Sequence, residues 1–195
     1  VGSGPGGLTA AYFLAKSVYC VTILLALDVI GGMLACGVPD YRLPYDDLLK
    51  EIKTITDLGV EIIKNTRVGI DITLDELKVK YDGVILSTGA HLGNKIKGYD
   101  FDRVMSAVDF LRGVNLKDID RVGDSVLVIG GGDVAMDAAR TCVRLGAKDI
   151  SVASLEAYDD MPASEEEKEH AYCENIKFIS SYGIKDIKDD NGLVV

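Results

Sequence analysis

The sequence predicts an α/β protein of two Rossmann-like units, each a doubly wound parallel sheet, both incomplete at the chain ends. The first observation is that the order strand, glycine-rich loop, helix, strand occurs twice, about 128 residues apart from Gly2 to Gly130. The second is that residues 20–25 and 125–129 are short runs rich in β-branched and apolar residues, as in strands buried within parallel sheets. Alternating strands and helices form parallel sheets through right-handed crossovers, so each repeat predicts one such unit.

Apolar periodicity and turn residues predict the other elements and the boundary between the units. Helices are expected at 8–16, 45–58, 74–79, 107–111, 134–145 and 163–174, and strands at 20–25, 60–63, 83–87, 125–129, 150–153 and 176–179. A polar connecting region places the domains at 1–112 and 113–195. Val1 directly precedes a glycine loop and the last residues read as a turn entering a strand, so we expect a fragment of a longer protein.

Composition excludes several classes of function. A formal net charge of -10 argues against nucleic acid and against an anionic membrane surface as partners. No apolar run approaches the ~20 residues of a membrane span, and no signal peptide is recognised, so a cytoplasmic location is expected. The four cysteines form no CxxC or CxxxxC pair, which disfavours a zinc site or a dithiol redox centre and predicts buried or half-buried thiols.

The first glycine loop fits the pattern G-x-G-x-x-G at Gly2, Gly4 and Gly7. In this pattern the first glycine allows a tight turn, the second admits a pyrophosphate, and the third lets the helix pack closely on the strand. The start of the helix then presents free N–H groups to the phosphates. A helix and a strand follow the loop, which supports a dinucleotide site. A glycine turn without a ligand is the alternative.

The second glycine loop fits G-x-G-x-x-A at Gly130, Gly132 and Ala135, and a predicted strand leads into it. Glu156 lies about 21 residues after Ala135, close to where a carboxylate hydrogen-bonds the ribose hydroxyls of NAD. No arginine is adjacent to Glu156, so NADH is favoured over NADPH. The alternative is that Glu156 is a solvent-facing acid in an acidic chain.

Five blocks of sequence in a fixed order make a more specific case. They are Gly31-Gly32-Met33-Leu34, G-V-P-D-Y-R-L-P at 37–44, Ser87-Thr88-Gly89-Ala90, G-G-G-D-V-A-M-D-A-A-R at 130–140, and Met161-Pro162-Ala163. In these blocks the chain resembles the family of the glutamate synthase small subunit and the FAD/NAD(P)H part of dihydropyrimidine dehydrogenase, flavoproteins of the pyridine nucleotide-disulfide oxidoreductase type. The resemblance runs from Val1 to about residue 178.

The resemblance implies an enzyme in which NADH or NADPH in the second unit reduces FAD in the first. Electrons would then pass to an iron–sulfur domain or subunit and a catalytic partner subunit outside this fragment, and no catalytic protein residue is implied because the flavin carries the chemistry. The residues implied for FAD are Gly2, Gly4, Pro5, Gly6, Gly32, Met33, Arg42, Val68, Thr88 and Gly89. Those implied for the nicotinamide nucleotide are Gly130, Gly132, Asp133, Val134, Ala135 and Glu156.

Three positions depart from the pattern of the family. Leu25 stands where the family has an acid for the FAD ribose, and Val18 stands near its usual glycine at the end of the first helix. Leu155 and Glu156 stand where it often has arginines, which suits NADH. The first two departures leave open a second hypothesis, a truncated or degenerate dinucleotide-binding module without turnover.

Overall fold

The computed structural model describes residues 1–93, 101, 103–190 and 193–194. By packing, the chain divides into two compact units, Val1–His91 and Leu92–Val195, each with its own hydrophobic core. This division falls earlier than the boundary expected at residues 112 and 113. The reason is that the helix Ala107–Asn115 packs into the second core through Phe110 and Leu111.

The first unit is built from four helices and a parallel pair of strands. The helices are α1 (Pro5–Lys16), α2 (Met33–Cys36), α3 (Tyr45–Thr56) and α4 (Leu74–Lys80), and the strands are β1 (Thr22–Leu24) and β2 (Glu61–Ile63). Ile23 of β1 lies opposite Ile62 of β2. Leu8 and Ala11 of α1 and Leu48 and Ile52 of α3 bury their apolar faces in the same core as Ile23. The core therefore supports the strand–loop–helix–strand order around the first glycine loop.

The strand predicted at 83–87 is not formed, although its residues lie where that strand would be. The Val1 amine donates to Ile85 O at 2.7 Å, and Ser87 N donates to Val1 O at 2.8 Å. Gly2 N donates to Leu24 O at 2.8 Å, so residues 1–2 lie between β1 and the 85–87 segment. A ladder with one residue as its partner is too short to form a strand, and Ile85 and Leu86 are exposed rather than buried.

The end of α1 carries a strained residue. Val18 has φ +68° and is 92% exposed. Val18 N donates to Ala15 O and Tyr19 N to Leu14 O, which is the hydrogen-bond pattern of a Schellman cap, where glycine is the usual residue in the left-handed position. A β-branched side chain in this conformation costs about 1–2 kcal/mol.

Because the Val18 side chain makes little contact, we expect Val18→Gly to raise the free energy of unfolding by about 0.5–1 kcal/mol, the relieved strain less the added backbone entropy. Urea unfolding of the intact protein measures this. Val79→Gly is the matched control, because Val79 is 90% exposed but lies inside helix α4. That change should lower stability slightly. Destabilisation by both changes would contradict the assignment of strain to Val18.

The second unit contains a three-stranded parallel sheet with helices and a short antiparallel pair. Its helices are α5 (Ala107–Asn115), α6 (Asp133–Arg144) and α7 (Glu165–Cys173), and a 3₁₀ turn spans Tyr158–Asp160. Its strands are β3 (Ser125–Ile129), β4 (Asp149–Ala153), β5 (Lys177–Ile179), β6 (Asp189–Asp190) and β7 (Leu193–Val194). The sheet order is β3-β4-β5, with both pairs parallel. The predicted parallel α/β architecture is therefore confirmed. Residues 191, 192 and 195 of the predicted terminal turn and strand lie outside the described residues.

The core of the second unit lies on one face of its sheet. Met136 and Ala139 of α6 are fully buried in the same cluster as Val128 and Val152, which lie opposite each other in the sheet. Within the described residues, the alternate side chains Leu127, Ile129 and Ile179 are exposed by 56%, 42% and 39%. The alternation follows from the two-residue period of a strand, so the helices cover the face that carries Val128.

The longest helices in the described part of the chain, α1, α3 and α6, have 12 residues each. Among the described residues no helix has both the length and the apolar character needed to cross a bilayer.

Two arginines fasten α7 to α6. Arg140 donates to Glu167 Oε2 at 2.7 Å and to Glu174 Oε1 at 3.0 Å, and Arg144 donates to Glu174 Oε2 at 2.7 Å. Burial alone would raise the pKa of Glu174, but the hydrogen bonds from Arg144 and Arg140 outweigh it and hold that pKa below its usual value. This network fixes the helix that begins beside the second glycine loop.

Candidate nucleotide-binding sites

The first glycine loop turns sharply against the 85–87 segment before α1 begins. Gly2 has φ +100°, and a Cβ on it would lie 2.3 Å from Ser87 O, so no other residue fits there. Gly7 packs α1 onto the same turn, because its Cβ would lie 2.0 Å from Gly2 O. Gly4, the N-cap of α1, differs from both, since the nearest atom to a Cβ on it is 4.0 Å away. The loop is closed on its inner side and open at Gly4.

A second glycine pair lies directly against this loop. A Cβ on Gly32 would lie 2.7 Å from Gly4 Cα, and Gly31 N donates to Ser3 Oγ at 3.3 Å. Ser3 is itself buried. Gly32 is the N-cap of α2, which begins at Met33. The structure thus brings Gly2, Gly4, Gly32 and Met33 together, with the N-terminal ends of α1 and α2 at one place.

The remaining residues implied for FAD lie on other segments of the first unit. Pro5 and Gly6 are exposed in the first turn of α1, and Thr88 and Gly89 are exposed immediately after Ser87, which contacts the loop. Arg42 is exposed beyond α2, with its N–H donating to Pro39 O. Val68 is half-buried after β2, in a bridge with Ile72. Their roles stay predictions.

Leu25, at the position where the resembled family has an acid, is a core residue. It is 4% exposed and packs in the first core. Its N–H donates to Ile63 O, and its carbonyl accepts from Thr66 N, so the backbone here is held by β2 and the segment that follows it. The nearby acid Asp28 is 78% exposed and lies 3.6 Å from Lys64 Nζ. In the described structure the side chain at position 25 offers no hydrogen-bond acceptor to a ribose.

The second glycine loop also turns at a glycine with a positive φ and leads into a helix. Gly130 has φ +139°, and its N–H donates to Ala153 O at 2.8 Å. Helix α6 begins at Asp133 with Gly132 as N-cap, and a Cβ on Gly132 would meet no atom within 4 Å. Ala135 is buried at the third position of the pattern, while Val134 is 46% exposed. This loop is therefore open at Gly132, as the first loop is at Gly4.

Gly131 lies close to both the Glu156 carboxylate and the ring of Pro162. A Cβ on Gly131 would lie 3.1 Å from Glu156 Oε2, 3.2 Å from Ser154 Cβ and 3.3 Å from Pro162 Cδ. Two donors hold the Glu156 carbonyl, Ser154 Oγ at 2.9 Å and Ser181 N at 2.8 Å. The carboxylate of Glu156, the predicted acceptor, lies against Gly131 of the second glycine loop. Sequence reasoning missed Ser154 and Ser181, because their contribution depends on where the chain returns after β5.

The segment that follows Glu156 is bonded to the glycine loop. Ala163 N donates to Gly131 O at 2.9 Å, and Ser164 N donates to Asp133 Oδ1 at 2.9 Å. Asp133, implied as a nucleotide contact, thus uses one carboxylate oxygen to hold the N-cap residue of α7. The Met161-Pro162-Ala163 block is therefore a structural partner of the loop.

The sequence around Glu156 is acidic. Residues 154–164 include Asp159 and Asp160 but no lysine or arginine. Lys168, which follows this stretch, is buried and donates to Tyr158 O, and Lys177 of β5 pairs with Asp149 at 2.7 Å. A 2′-phosphate next to Glu156 would meet carboxylates, whereas ribose hydroxyls could donate to them.

Both loops fit a pyrophosphate on geometric grounds. Each has a first glycine with a positive φ, an open glycine at the N-cap, and a 12-residue helix whose first N–H groups face that opening. A side chain at Gly4 or Gly132 would fill the space that a phosphate group needs. The arrangement can bind two dinucleotides, one in each unit.

Comparison with known proteins agrees with this geometry. Residues 1–195 match the family described as pyridine nucleotide-disulphide oxidoreductase. The chain belongs to this family. The resemblance inferred from the five sequence blocks is therefore confirmed.

Three relatives illustrate the range of the family. The chain is 45% identical to the NADP(+)-dependent formate dehydrogenase subunit beta of Moorella thermoacetica over 90% of this chain and 26% of that protein. It is 40% identical to the glutamate synthase [NADPH] small chain of Bacillus subtilis over 77% and 33%. It is 39% identical to the NAD-dependent dihydropyrimidine dehydrogenase subunit PreT of Escherichia coli over 86% and 41%. The chain therefore spans between about a quarter and two fifths of these proteins.

A solved structure supports the fold. FprA from Mycobacterium tuberculosis superposes with a TM-score of 0.74 at 20% identity, covering 88% of this chain and 46% of that one. The similarity covers most of the chain and supports the α/β prediction.

The prediction that all four cysteines are buried or half-buried is wrong for two of them. Cys20 and Cys173 are exposed, since each lies near the end of a helix or strand where the chain meets solvent, whereas Cys36 and Cys142 are buried. Burial raises the pKa of the Cys142 thiol to about 11. A thiol reacts as its thiolate, so Cys142 is unreactive near neutral pH, both because it is buried and because its pKa is raised.

We expect a disulfide reagent such as DTNB to titrate two thiols rapidly in the native protein and all four after unfolding. Cys20→Ser and Cys173→Ser should each remove one rapid equivalent, while Cys142→Ser should remove none. Rapid reaction of Cys36 or Cys142 would contradict the packing described for their helices.

Proposed function

We propose that this chain is the nucleotide-binding part of an oxidoreductase that passes hydride from NADH to FAD and then electrons to an iron–sulfur partner. The observation that carries this proposal is the pair of glycine turns, which are open at Gly4 and Gly132 and each lead into a helix. FAD would be held by residues within 1–112 and the nicotinamide nucleotide by residues within 113–195. Bound flavin can accept a hydride and release single electrons, which suits a relay between these partners.

The residues of each loop would act by position and partial charge. In the first unit Gly4 and Gly32 would let the backbone approach the pyrophosphate, and the starts of α1 and α2 would direct N–H groups to it. In the second unit Gly130, Gly132 and Val134 would do the same with α6, and Ala135 would keep that helix close to β3. Arg42, Val68, Thr88 and Gly89 remain proposed contacts to FAD.

NADH is the proposed reductant rather than NADPH, because Glu156 lies over Gly131 in a stretch without cations. Among the relatives, one is named for NADP(+), one for NADPH and one for NAD, so membership of the family leaves the choice to local residues. Ribose hydroxyls can donate to the Glu156 carboxylate, and a 2′-phosphate would be repelled by it.

The proposed electron acceptor is an iron–sulfur domain or subunit, together with a catalytic subunit, outside these residues. Two relatives are named as a subunit beta and a small chain of larger enzymes, which supports a partner. The proposed location is cytoplasmic, with neither nucleic acid nor a membrane among the partners.

The test uses the intact protein under anaerobic conditions. We expect a flavin absorbance spectrum that NADH bleaches within seconds and that NADPH bleaches much more slowly at equal concentration. Flavin that neither nucleotide reduces would contradict the proposal, and faster bleaching by NADPH would contradict the choice of NADH.

A second candidate function is a dinucleotide-binding module without turnover. It is favoured by Leu25, which is buried where the family places an acid for the FAD ribose. In that case the purified protein would be colourless after incubation with FAD and would still bind NADH, as measured by nucleotide fluorescence. A yellow protein bleached by NADH excludes this candidate.

A further inference from the structure

Lys168, on α7, is a buried cation that the proposed nucleotide contacts do not use. Its side chain is 1% exposed, the least of any charged side chain in the described part of the chain. The ammonium donates to Glu165 Oε1 at 2.6 Å and to Tyr158 O at 3.2 Å, and it lies 5.1 Å from the centroid of the Tyr158 ring. A carboxylate, a carbonyl and an aromatic face therefore surround it.

Burying the Lys168 ammonium costs free energy, which suggests that its contacts serve to hold a neighbouring segment in place. Removing an ammonium from water is unfavourable, and an apolar side chain could fill a buried position without that penalty. Of the three groups around Lys168, two belong to Tyr158, the first residue of the Tyr158–Asp160 turn. The Tyr158 ring also meets Phe178 of β5 edge to face, with centroids 5.1 Å apart. Lys168 and Phe178 of β5 thus both contact the first residue of the turn.

The turn lies in the middle of a segment whose two ends border the second glycine loop. At one end Ser154 and Ser181 hold the carbonyl of Glu156. At the other, Ala163 N donates to Gly131 O. Gly131 therefore has both Glu156 and Pro162 beside it, and the 157–163 segment carries the chain from Glu156 through Pro162. Displacement of the turn would move both neighbours of Gly131.

We propose that Lys168 is a positioning residue that holds the 157–163 segment, so that Glu156 and Pro162 stay beside Gly131, and that it thereby sets the affinity and choice of nicotinamide nucleotide. This inference rests on the proposed function of the second unit. Under this inference, Lys168 helps to determine the choice between NADH and NADPH without contacting the nucleotide.

Replacing Lys168 by Met keeps an unbranched side chain and removes the bonds to Tyr158 and Glu165. The 157–163 segment then occupies its binding conformation for a smaller fraction of the time, and the apparent Kd rises in inverse proportion. A fraction of one tenth raises the Kd for NADH about tenfold. The Kd for NADPH changes less, because Glu156 no longer opposes the 2′-phosphate as consistently, so the preference for NADH falls.

The experiment measures the Kd values of NADH and NADPH for the intact protein by nucleotide fluorescence, in wild type, Lys168→Met and Lys177→Met. Lys177 loses the same charge but is 67% exposed and pairs with Asp149 at the start of β4. We expect Lys177→Met to behave as wild type. A folded Lys168→Met protein with wild-type Kd values for both nucleotides would overturn the inference.

Amide hydrogen exchange gives a readout that does not depend on nucleotide. Lys168→Met should speed exchange of the Ala163 and Ser164 amides, which donate to Gly131 and Asp133, while Val152 in β4 stays protected. If Lys168→Met does not fold, Glu165→Ala carries the test, since Glu165 is 84% exposed and supplies the shortest contact to the ammonium. We expect about a threefold rise in the Kd for NADH from that change, and an unchanged Kd would overturn the inference.

Failure of the proposed function has a different outcome. A wild-type protein that binds neither nucleotide would contradict the proposed function itself. A wild type that prefers NADH, with variants that match it in both Kd and exchange, would overturn only the role of Lys168.

Discussion

Gly7→Ala is expected to lower the free energy of unfolding of the first unit by about 3 kcal/mol or more. A Cβ at this position would lie 2.0 Å from Gly2 O and 2.7 Å from Ser87 Oγ, and the first of these is a backbone atom that cannot rotate away. Accommodating the methyl group would separate α1 from the glycine turn. Urea unfolding of the intact protein, followed by circular dichroism, measures the loss.

The neighbouring residue of the same helix is the control for this change. A Cβ on Gly6 would have its nearest atom, Ser87 Cβ, at 3.8 Å, which is ordinary contact. Gly6→Ala should therefore raise stability by up to about 1 kcal/mol, because alanine favours the helix. Equal stability of the two variants would show that close packing of α1 on the turn is not what Gly7 supplies.

Glu156→Arg is expected to reverse the choice of nucleotide. The change removes an acceptor for the ribose hydroxyls and places a cation where a 2′-phosphate would lie. We expect the relative binding free energy of NADH and NADPH to shift by about 3 kcal/mol, roughly 100-fold in the ratio of their Kd values. Fluorescence titration with both nucleotides measures the ratio.

Glu169→Arg makes the same change in net charge at an exposed position of α7 and is the control for a general electrostatic effect. It should leave the preference for NADH within about threefold of wild type, because exposed charges act weakly at a distance in salt. An unchanged preference in Glu156→Arg would end the assignment of Glu156 to the ribose. A shift of similar size in both variants would attribute the choice to net charge alone.

Sequence patterns predicted the second unit well because its local features agree with one another. The strands at 125–129 and 150–153 and the helix between them were each placed to within one residue of β3, β4 and α6. A complete strand enters that glycine loop, so the periodicity, the turn and the helix start all indicate one structure. The position of Glu156 over Gly131 followed from the same spacing.

Features that depend on distant partners could not be predicted in this way. The 83–87 segment has the composition of a buried strand, but a strand exists only where a neighbour extends alongside it. Lys168 stands in an acidic helix and reads as exposed from its neighbours, yet it is buried because Tyr158 and Glu165 surround it. The hydrogen bond from Ser164 N to Asp133 joins residues 31 apart and has no pattern in the sequence.

The close approach of Gly4 and Gly32 links two parts of the gene that are otherwise separate. A Cβ on Gly32 would lie 2.7 Å from Gly4 Cα and 3.0 Å from Gly4 N, so position 32 cannot gain a side chain while the backbone at Gly4 keeps its place. In descendants of this sequence, a residue other than glycine at position 32 should therefore accompany a changed course of the chain around position 4. Covariation between these positions across homologues would be the evolutionary record of that contact.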